Sequence, residues 1–166
     1  MAERKSSFAP IANERTRVLV LGSLPGAKSL EARQYYANRT NQFWRLIGDV
    51  IVRDLTALGY EARLEALLEA GIGLWDVVAD AARVGSLDAD IREIRENQFV
   101  DLAQSLPQIR ALGFNGGKAA KIGIKRLGRV SGLEPIALPS SSAAYCAIPY
   151  AAKRERWFAL RPYLAQ

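Results

Sequence analysis

Histidine is absent from this 166-residue chain, and cysteine occurs once, at Cys146. Without histidine, Ser-His-Asp and Cys-His nucleophilic mechanisms and the usual histidine metal sites are excluded. A single cysteine excludes an internal disulfide, a four-cysteine iron-sulfur cluster and a cysteine-rich zinc site. Metal sites built from histidine or from clustered cysteines are therefore not expected. Any catalysis must use Asn, Asp, Glu, Ser, Tyr, Lys or water.

Long apolar runs are also missing. No segment approaches the roughly 20 apolar residues that a membrane-spanning helix needs, and the segment MAERKSSFAP at the start is too polar for a signal peptide. A cytoplasmic protein with no membrane partner is expected. The 49% hydrophobic content fits a single domain over residues 1–166, with residues 1–15 as a polar lead-in. Such a domain is expected to act as a monomer.

The formal net charge of +6 indicates a polyanionic partner, because Lys and Arg that face phosphates gain affinity by releasing counterions. Lys118, Lys121 and Lys125 recur at spacings of three and four residues, so they share one face of a predicted helix. This face is a candidate phosphate-binding track. A solvated basic helix face explains the same pattern equally well.

Apolar segments of strand type alternate with helical patterns. Strands are predicted at 17–21, 110–114 and 134–138, and a short strand or strand-loop at 72–78. Helices are predicted at 42–58, 60–70, 118–127 and 151–163. The segment 80–96 is predicted to be a polar connection with a helical turn or more. The alternation favours an α/β fold, a three-layer α/β/α sandwich with a short parallel sheet of about four strands. Ligands bind at the carboxyl ends of such strands, where the loops after Leu21, Phe114 and Leu138 should converge.

The segment NGGKAA at 115–120 could be mistaken for a nucleotide-binding loop. It lacks the GxxxxGK[ST] spacing, and neither Ser nor Thr follows Lys118 to hold magnesium. The segment GSLPG at 22–26 has no GxGxxG pattern either. Nucleoside triphosphates and dinucleotides are therefore not expected, and a tight strand-to-helix turn is the interpretation of 115–120.

Four sequence blocks occur in order: GSLPG at 22–26, YANRTNQFW at 36–44, GIGLWDVV at 71–78 and LPSSS at 138–142. Together they resemble the uracil-DNA glycosylase superfamily over nearly the whole chain. The chain is most similar to its hypoxanthine-type branch, family 6, which is itself similar to the mismatch-specific uracil-DNA glycosylases. The resemblance implies an α/β/α sandwich and a monofunctional enzyme of base excision repair. Such an enzyme flips uracil or hypoxanthine out of DNA and hydrolyses its glycosidic bond, leaving an abasic site. The resemblance therefore implies no metal and no cofactor, since this hydrolysis needs a positioned water and a stabilised base anion.

The resemblance also implies catalytic and base-binding roles. Leu24 stands where most of the superfamily has a polar residue that holds water, so the resemblance moves catalysis to Asn41, whose amide oxygen would orient water or steady the cationic sugar. A helix N-cap is the alternative role for Asn41, and Asn38 is its rival. Tyr36 would stack on the flipped base, or be half-buried core. The expected base-binding residues are Tyr36, Asn38 and the loop Gly22, Ser23, Leu24, Pro25 and Gly26, whose backbone amides would stabilise the base anion.

The loop after Leu138 is the expected DNA contact. Its serine hydroxyls would grip phosphates, and the residues that follow would fill the vacated base stack. The expected DNA-binding residues are Ser140, Ser141, Ser142, Ala143, Ala144, Tyr145, Lys118 and Lys121. An ordinary Ser-rich turn is the alternative. For Asp76, a carboxylate that caps the next backbone turn is favoured over a functional role.

Two other functions stay open. A catalytically silent nucleic-acid or nucleotide-binding module of the same fold is compatible with Leu24 and Leu138, which lack the polar groups of the family. A small-molecule nucleoside hydrolase would act on free nucleosides and show no salt-sensitive affinity for DNA.

Overall fold

The computed structural model describes residues 4–83, 86–88, 91–130 and 132–165. Its strands are β1 Arg4–Ser6, β2 Val18–Gly22, β3 Ile72–Asp76, β4 Val78–Ala82, β5 Arg92–Glu96, β6 Ala111–Asn115 and β7 Glu134–Leu138. Its α-helices are α1 Ala27–Ala32, α2 Phe43–Ile51, α3 Tyr60–Glu69, α4 Phe99–Ser105, α5 Gly117–Leu127, α6 Tyr150–Trp157 and α7 Arg161–Leu164.

The centre of the molecule is a parallel sheet of four strands in the order β3-β2-β6-β7. Its middle strand β2 is apolar and buried along its whole length, as a strand covered on both faces must be. Register pairing sets Gly22 beside Asp76 and Asn115 beside Leu138. The carboxyl ends of the four strands therefore meet at one edge, and the predicted sheet and fold class are confirmed.

Alternate residues of the sheet point into two separate cores, because side chains along a strand alternate between its faces. Val18, Val20 and Leu74 pack with α2, α3 and α6 on one face. Leu19 and Phe114 pack with α4 and α5 on the other. The sheet is thus the middle layer of an α/β/α sandwich.

A second, antiparallel sheet has the order β1-β4-β5. The prediction of a polar connection over 80–96 is therefore wrong where the structure describes that segment, since β4 and β5 occupy most of it. Its polar sequence lacks a strand's alternation because β5 is largely exposed on both faces. Between β4 and β5, Asp88 has 3₁₀-helical conformation, in keeping with the predicted helical turn. Part of the expected lead-in, residues 4–6, pairs with β4 as β1.

Two helix predictions were too long. Helix α2 ends at Ile51, where Val52 adopts a left-handed conformation with φ 58°, so the predicted helix 42–58 breaks there. The predicted helix 151–163 is divided into α6, a 3₁₀ turn at Phe158–Leu160 and α7, which has Pro162 in its first turn. None of the helices formed by the described residues is long and apolar enough to cross a membrane.

Candidate functional site

A cavity of about 460 Å³ opens at the carboxyl edge of the parallel sheet. Predicted site residues that line it are Gly22, Ser23, Leu24, Pro25, Gly26, Tyr36, Asn38, Asn41, Lys118, Ser140, Ser141, Ser142, Ala144 and Tyr145. The fold thus brings residues from four separate segments to one place. Ala143 and Lys121 are exposed and do not line the cavity.

A chain of hydrogen bonds joins two of these segments to the end of β6. The Asn41 Oδ1 accepts the Ser141 hydroxyl at 2.8 Å and the Phe43 backbone N–H at 2.9 Å. The Ser141 Oγ accepts from Asn115 Nδ2 at 2.9 Å, and the same amide group donates to the Tyr36 hydroxyl at 3.2 Å. We call Asn41, Ser141, Asn115 and Tyr36 the amide chain.

The amide chain fixes which end of the Asn41 side chain is available. Its oxygen already accepts two donors, one of them the N–H of the first residue of α2. No hydrogen bond among the described residues uses Asn41 Nδ2. The rival Asn38 has its oxygen engaged by the backbone and hydroxyl of Thr40, at 3.0 and 2.9 Å. The expected use of the Asn41 oxygen to orient water does not fit these contacts, whereas donation from Nδ2 does.

Asn115 is a central residue of the site that the sequence interpretation missed. It ends β6, is buried, and also accepts the Ser141 backbone N–H through Oδ1 at 2.9 Å. A polar residue that ends an otherwise apolar strand of a parallel sheet lies at the ligand-binding edge. The sequence has this pattern at position 115, although the interpretation of 115–120 as a tight turn gives Asn115 no role.

The three serines of the predicted DNA-binding loop have different environments. Ser141 is only 1% exposed and its hydroxyl belongs to the amide chain, so the expected phosphate contact of Ser141 is wrong. The Ser140 hydroxyl accepts the Ser142 backbone N–H, and the Ser142 hydroxyl accepts the Ala144 N–H. Both remain near the cavity mouth with hydroxyl protons that can be donated.

Tyr36 lies on the cavity wall in a left-handed conformation, with φ 54°. Its ring is stacked on Phe43, with centroids 3.8 Å apart and planes at 11°. One face is therefore covered, and only the opposite face is left for a base. Phe43 and Trp44 are buried and pack in the core.

Asp76 contributes a buried carboxyl group to the same cavity. Its Oδ2 accepts the Ser7 hydroxyl at 2.9 Å, and no hydrogen bond among the described residues uses Oδ1. Burial raises the pKa of this carboxyl to about 7, and the Asp88 carboxylate adds to the rise while Ser7 and Arg83 oppose it. The N–H groups of Val77 and Val78 bond to Gly22 and Ser23 instead, so the prediction that the Asp76 carboxylate caps the next turn is wrong.

The first loop, 22–26, presents its backbone to the cavity. No hydrogen bond among the described residues uses the backbone N–H of Ser23, Leu24 or Gly26. The loop is held from behind, because the Arg83 guanidinium donates to the carbonyl oxygens of Leu24 and Pro25. Amide groups fixed in this way are suited to a negative charge inside the cavity.

The lysines of α5 form a row that begins at the cavity and continues along the helix. Lys118 lines the mouth, and Lys121 and Lys125 are exposed further along the helix. Basic residues Lys125 and Arg126 also occupy the last turn of α5, where they complement the helix dipole. The arrangement is a basic surface continuous with the cavity mouth.

The fold and the site define an α/β/α enzyme-type domain that takes up a ligand at the carboxyl edge of its sheet. The family model described as the Uracil DNA glycosylase superfamily matches residues 9–161. The chain therefore belongs to the uracil DNA glycosylase superfamily.

Relatives of known description agree with this family. A protein of Methanosarcina barkeri described as hypoxanthine DNA glycosylase is 41% identical over 141 residues, which is 85% of this chain and 88% of that protein. A protein of Methanosarcina acetivorans with the same description is 41% identical over 140 residues, 84% of this chain and 87% of that protein.

Among solved structures, the solution NMR structure of a Methanosarcina acetivorans protein described as a uracil DNA glycosylase superposes with a TM-score of 0.86. Its sequence is 38% identical, and the match covers 98% of this chain and 99% of that chain. The predicted resemblance and the predicted DNA glycosylase are confirmed by these matches, and DNA is the substrate of this class of enzyme.

Proposed function

We propose that the chain excises hypoxanthine from DNA by hydrolysis of the N-glycosidic bond. The observation that carries the proposal is the amide chain, which holds the amide side chains of Asn41 and Asn115, from separate segments, against one wall of the cavity. The descriptions of the Methanosarcina barkeri and Methanosarcina acetivorans relatives support hypoxanthine as the base. Uracil is the second substrate to test, because it shares the lactam edge of hypoxanthine.

The flipped base lies in the cavity with its ring against the open face of Tyr36. Stacking of a base on an aromatic ring is worth about 1–3 kcal/mol. The ring of Tyr36 is held on its other side by Phe43 and at its hydroxyl by Asn115. Because the ring is fixed before the base arrives, little ordering is required on binding.

Bond cleavage is assisted mainly at the departing base. As the glycosidic bond breaks, negative charge develops on the base, and fixed donors in a cavity stabilise such charge strongly. The N–H groups of Ser23, Leu24 and Gly26 supply these donors together with Asn41 Nδ2. Asn41 acts as a donor to the leaving base, since its oxygen is engaged.

Asp76 distinguishes deaminated bases from their parents. Hypoxanthine and uracil present a ring N–H beside a carbonyl, whereas adenine and cytosine present a bare ring nitrogen beside an amino group. The ionised Oδ1 of Asp76 accepts the ring N–H of a deaminated base. It repels the lone pair of the corresponding nitrogen in adenine, which would leave two acceptors facing each other.

DNA is held outside the cavity by Lys118, Lys121 and the hydroxyls of Ser140 and Ser142, with Ala143, Ala144 and Tyr145 nearest the vacated base position. Lysine contacts to phosphate carry no base information and set the register of the enzyme on the duplex.

The domain acts as a monomer, in the cytoplasm.

The test incubates the purified protein with duplex and single-stranded oligonucleotides that carry one hypoxanthine, one uracil or only normal bases, and then cuts abasic sites with alkali. Hypoxanthine excision by the wild type that falls at least about 100-fold in Asn41→Ala is expected, which is the size of effect seen when one donor to developing charge is removed. Asn38→Ala, which removes the rival amide, should lose clearly less excision than Asn41→Ala. No excision from any oligonucleotide would overturn the proposal.

A further inference from the structure

Lys153 is a lysine of α6 that is only 1% exposed. Its Nζ donates to Gln42 Oε1 at 2.9 Å and to the Ser142 carbonyl oxygen at 3.1 Å. It also lies 5.3 Å from the centre of the Tyr145 ring. No salt bridge among the described residues includes Lys153. Burying an ammonium group without a carboxylate partner costs free energy. The three contacts of Lys153 must therefore offset that cost.

The three contacts of Lys153 converge on one part of the molecule. Gln42 directly precedes α2 and follows Asn41, while Ser142 and Tyr145 belong to the loop 139–145, which we call the serine loop. Gln42 itself donates its backbone N–H to the Ser141 carbonyl at 2.8 Å. The next turn of α6 supports the same loop, because Trp157 Nε1 donates to the Pro139 carbonyl at 2.9 Å.

Tyr145 is the large apolar residue that the serine loop presents to solvent. Its side chain is 40% exposed and lines the cavity mouth. A cation within about 6 Å of a ring centre attracts the ring face, so Lys153 restrains the ring from the protein side. The Tyr145 backbone is held as well, since its N–H donates to the Ser142 carbonyl, the same oxygen that Lys153 binds.

We propose that Lys153 is a positioning residue, which acts through Tyr145 and Ser142 to fix the serine loop in the shape that meets the base stack of duplex DNA. The inference rests on the proposed function, because it concerns how that reaction reaches a paired base. In a duplex, the space left by the flipped base must be filled by the protein, while a single strand has no such requirement. Lys153 therefore matters for duplex and not for single-stranded substrate.

The experiment compares Lys153→Met and Tyr145→Ala with the wild type on matched duplex and single-stranded hypoxanthine oligonucleotides. Each variant should excise from duplex about tenfold more slowly, because unstacking a base costs a few kcal/mol and least in a single strand. Single-strand excision by Lys153→Met should stay within about twofold of the wild type. The double variant should be no slower than the slower single variant, since neighbours that act as a unit are not additive.

Lys153→Arg should recover most of the duplex activity, because the guanidinium can donate to the same two oxygens. Arg53→Met, which removes an exposed cation elsewhere, is the control for lost charge and should match the wild type on both substrates. Equal losses of Lys153→Met on both substrates, or additive losses in the double variant, would overturn the proposal.

A second measurement does not depend on excision, so it separates failure of this inference from failure of the proposed function. The only cysteine, Cys146, is exposed and follows Tyr145. A nitroxide label on Cys146 reports the mobility of the serine loop by electron paramagnetic resonance. The label should become more mobile in Lys153→Met and not in Arg53→Met. Identical spectra for the wild type and Lys153→Met would also overturn the proposal, even if the protein excised no base.

Discussion

The Asp76 Oδ1 lies 2.8 Å from the point where a Cβ on Gly22 would stand. The two residues are register partners at the carboxyl ends of β3 and β2. The Tyr36 hydroxyl is 3.1 Å from the same point. A side chain at position 22 would therefore fill the place where the carboxyl group and the phenol approach each other in the cavity.

Gly22→Ala should impair both folding and excision. The new methyl group is too close to Asp76 Oδ1, and overpacking of this kind costs about 1–3 kcal/mol of stability. Chemical denaturation and the oligonucleotide assay measure the two effects. Gly59→Ala is the control, because nothing lies within 4 Å of its Cβ position. A Gly22→Ala enzyme as stable and as active as Gly59→Ala would contradict the expected clash.

Asp76→Asn should make stability less dependent on pH. The folded protein holds the Asp76 proton with a pKa of about 7 against the ordinary 3.8. The stabilisation from this group is therefore complete below about pH 4 and is lost as pH rises through 7; a shift of about three units corresponds to about 4 kcal/mol. The neutral variant should have a higher Tm than the wild type at pH 8, and the difference should shrink towards pH 5.

Asp54→Asn is the control for that pH series. Hydrogen bonds from Thr56 lower the pKa of the exposed Asp54 carboxyl, so this group stays ionised between pH 5 and 8. Its replacement should change Tm by the same amount throughout. If Asp76→Asn and the wild type differed in Tm by the same amount at every pH from 5 to 8, Asp76 would not titrate in this range.

Ser141→Ala should break the amide chain. It removes one of the two acceptors of Asn115 Nδ2 and one of the two donors to Asn41 Oδ1, and a buried N–H left without its partner costs about 1–3 kcal/mol. We expect lower stability and slower excision, measured by denaturation and single-turnover kinetics. In Ser140→Ala only an acceptor for the Ser142 N–H is lost, so the loss of stability should be clearly smaller. Equal losses in both variants would remove the special role of Ser141.

Lys121→Ala should weaken DNA binding uniformly across sequences. Each phosphate contact adds about 0.9 to the slope of log affinity against log salt, so the slope should become shallower by about one. Fluorescence anisotropy with labelled duplex over a salt series measures it. An unchanged slope would assign Lys121 to a solvated helix face.

The parallel sheet could be predicted because apolar runs such as the one at 18–21 in β2 are typical of strands that are covered on both faces. The site position of Asn41 could be predicted because the block at 36–44 resembles that of the family. The contact between Ser7 and Asp76 spans 69 positions, and no local pattern encodes it. The strand β5 was missed because its exposed faces leave no hydrophobic period. The contact of Lys153 with Gln42 spans 111 positions, so no local pattern indicates that this lysine is buried.

The Ser7 hydroxyl follows β1, so the amino-terminal strand reaches the floor of the cavity. A polypeptide trimmed by proteolysis before Phe8 would keep the whole parallel sheet and every side chain of the amide chain. It would nevertheless carry a weaker acid in its cavity, because the Ser7 hydrogen bond lowers the pKa of Asp76. The selectivity of the trimmed protein for bases would then shift to a more alkaline range, although no cavity residue had changed.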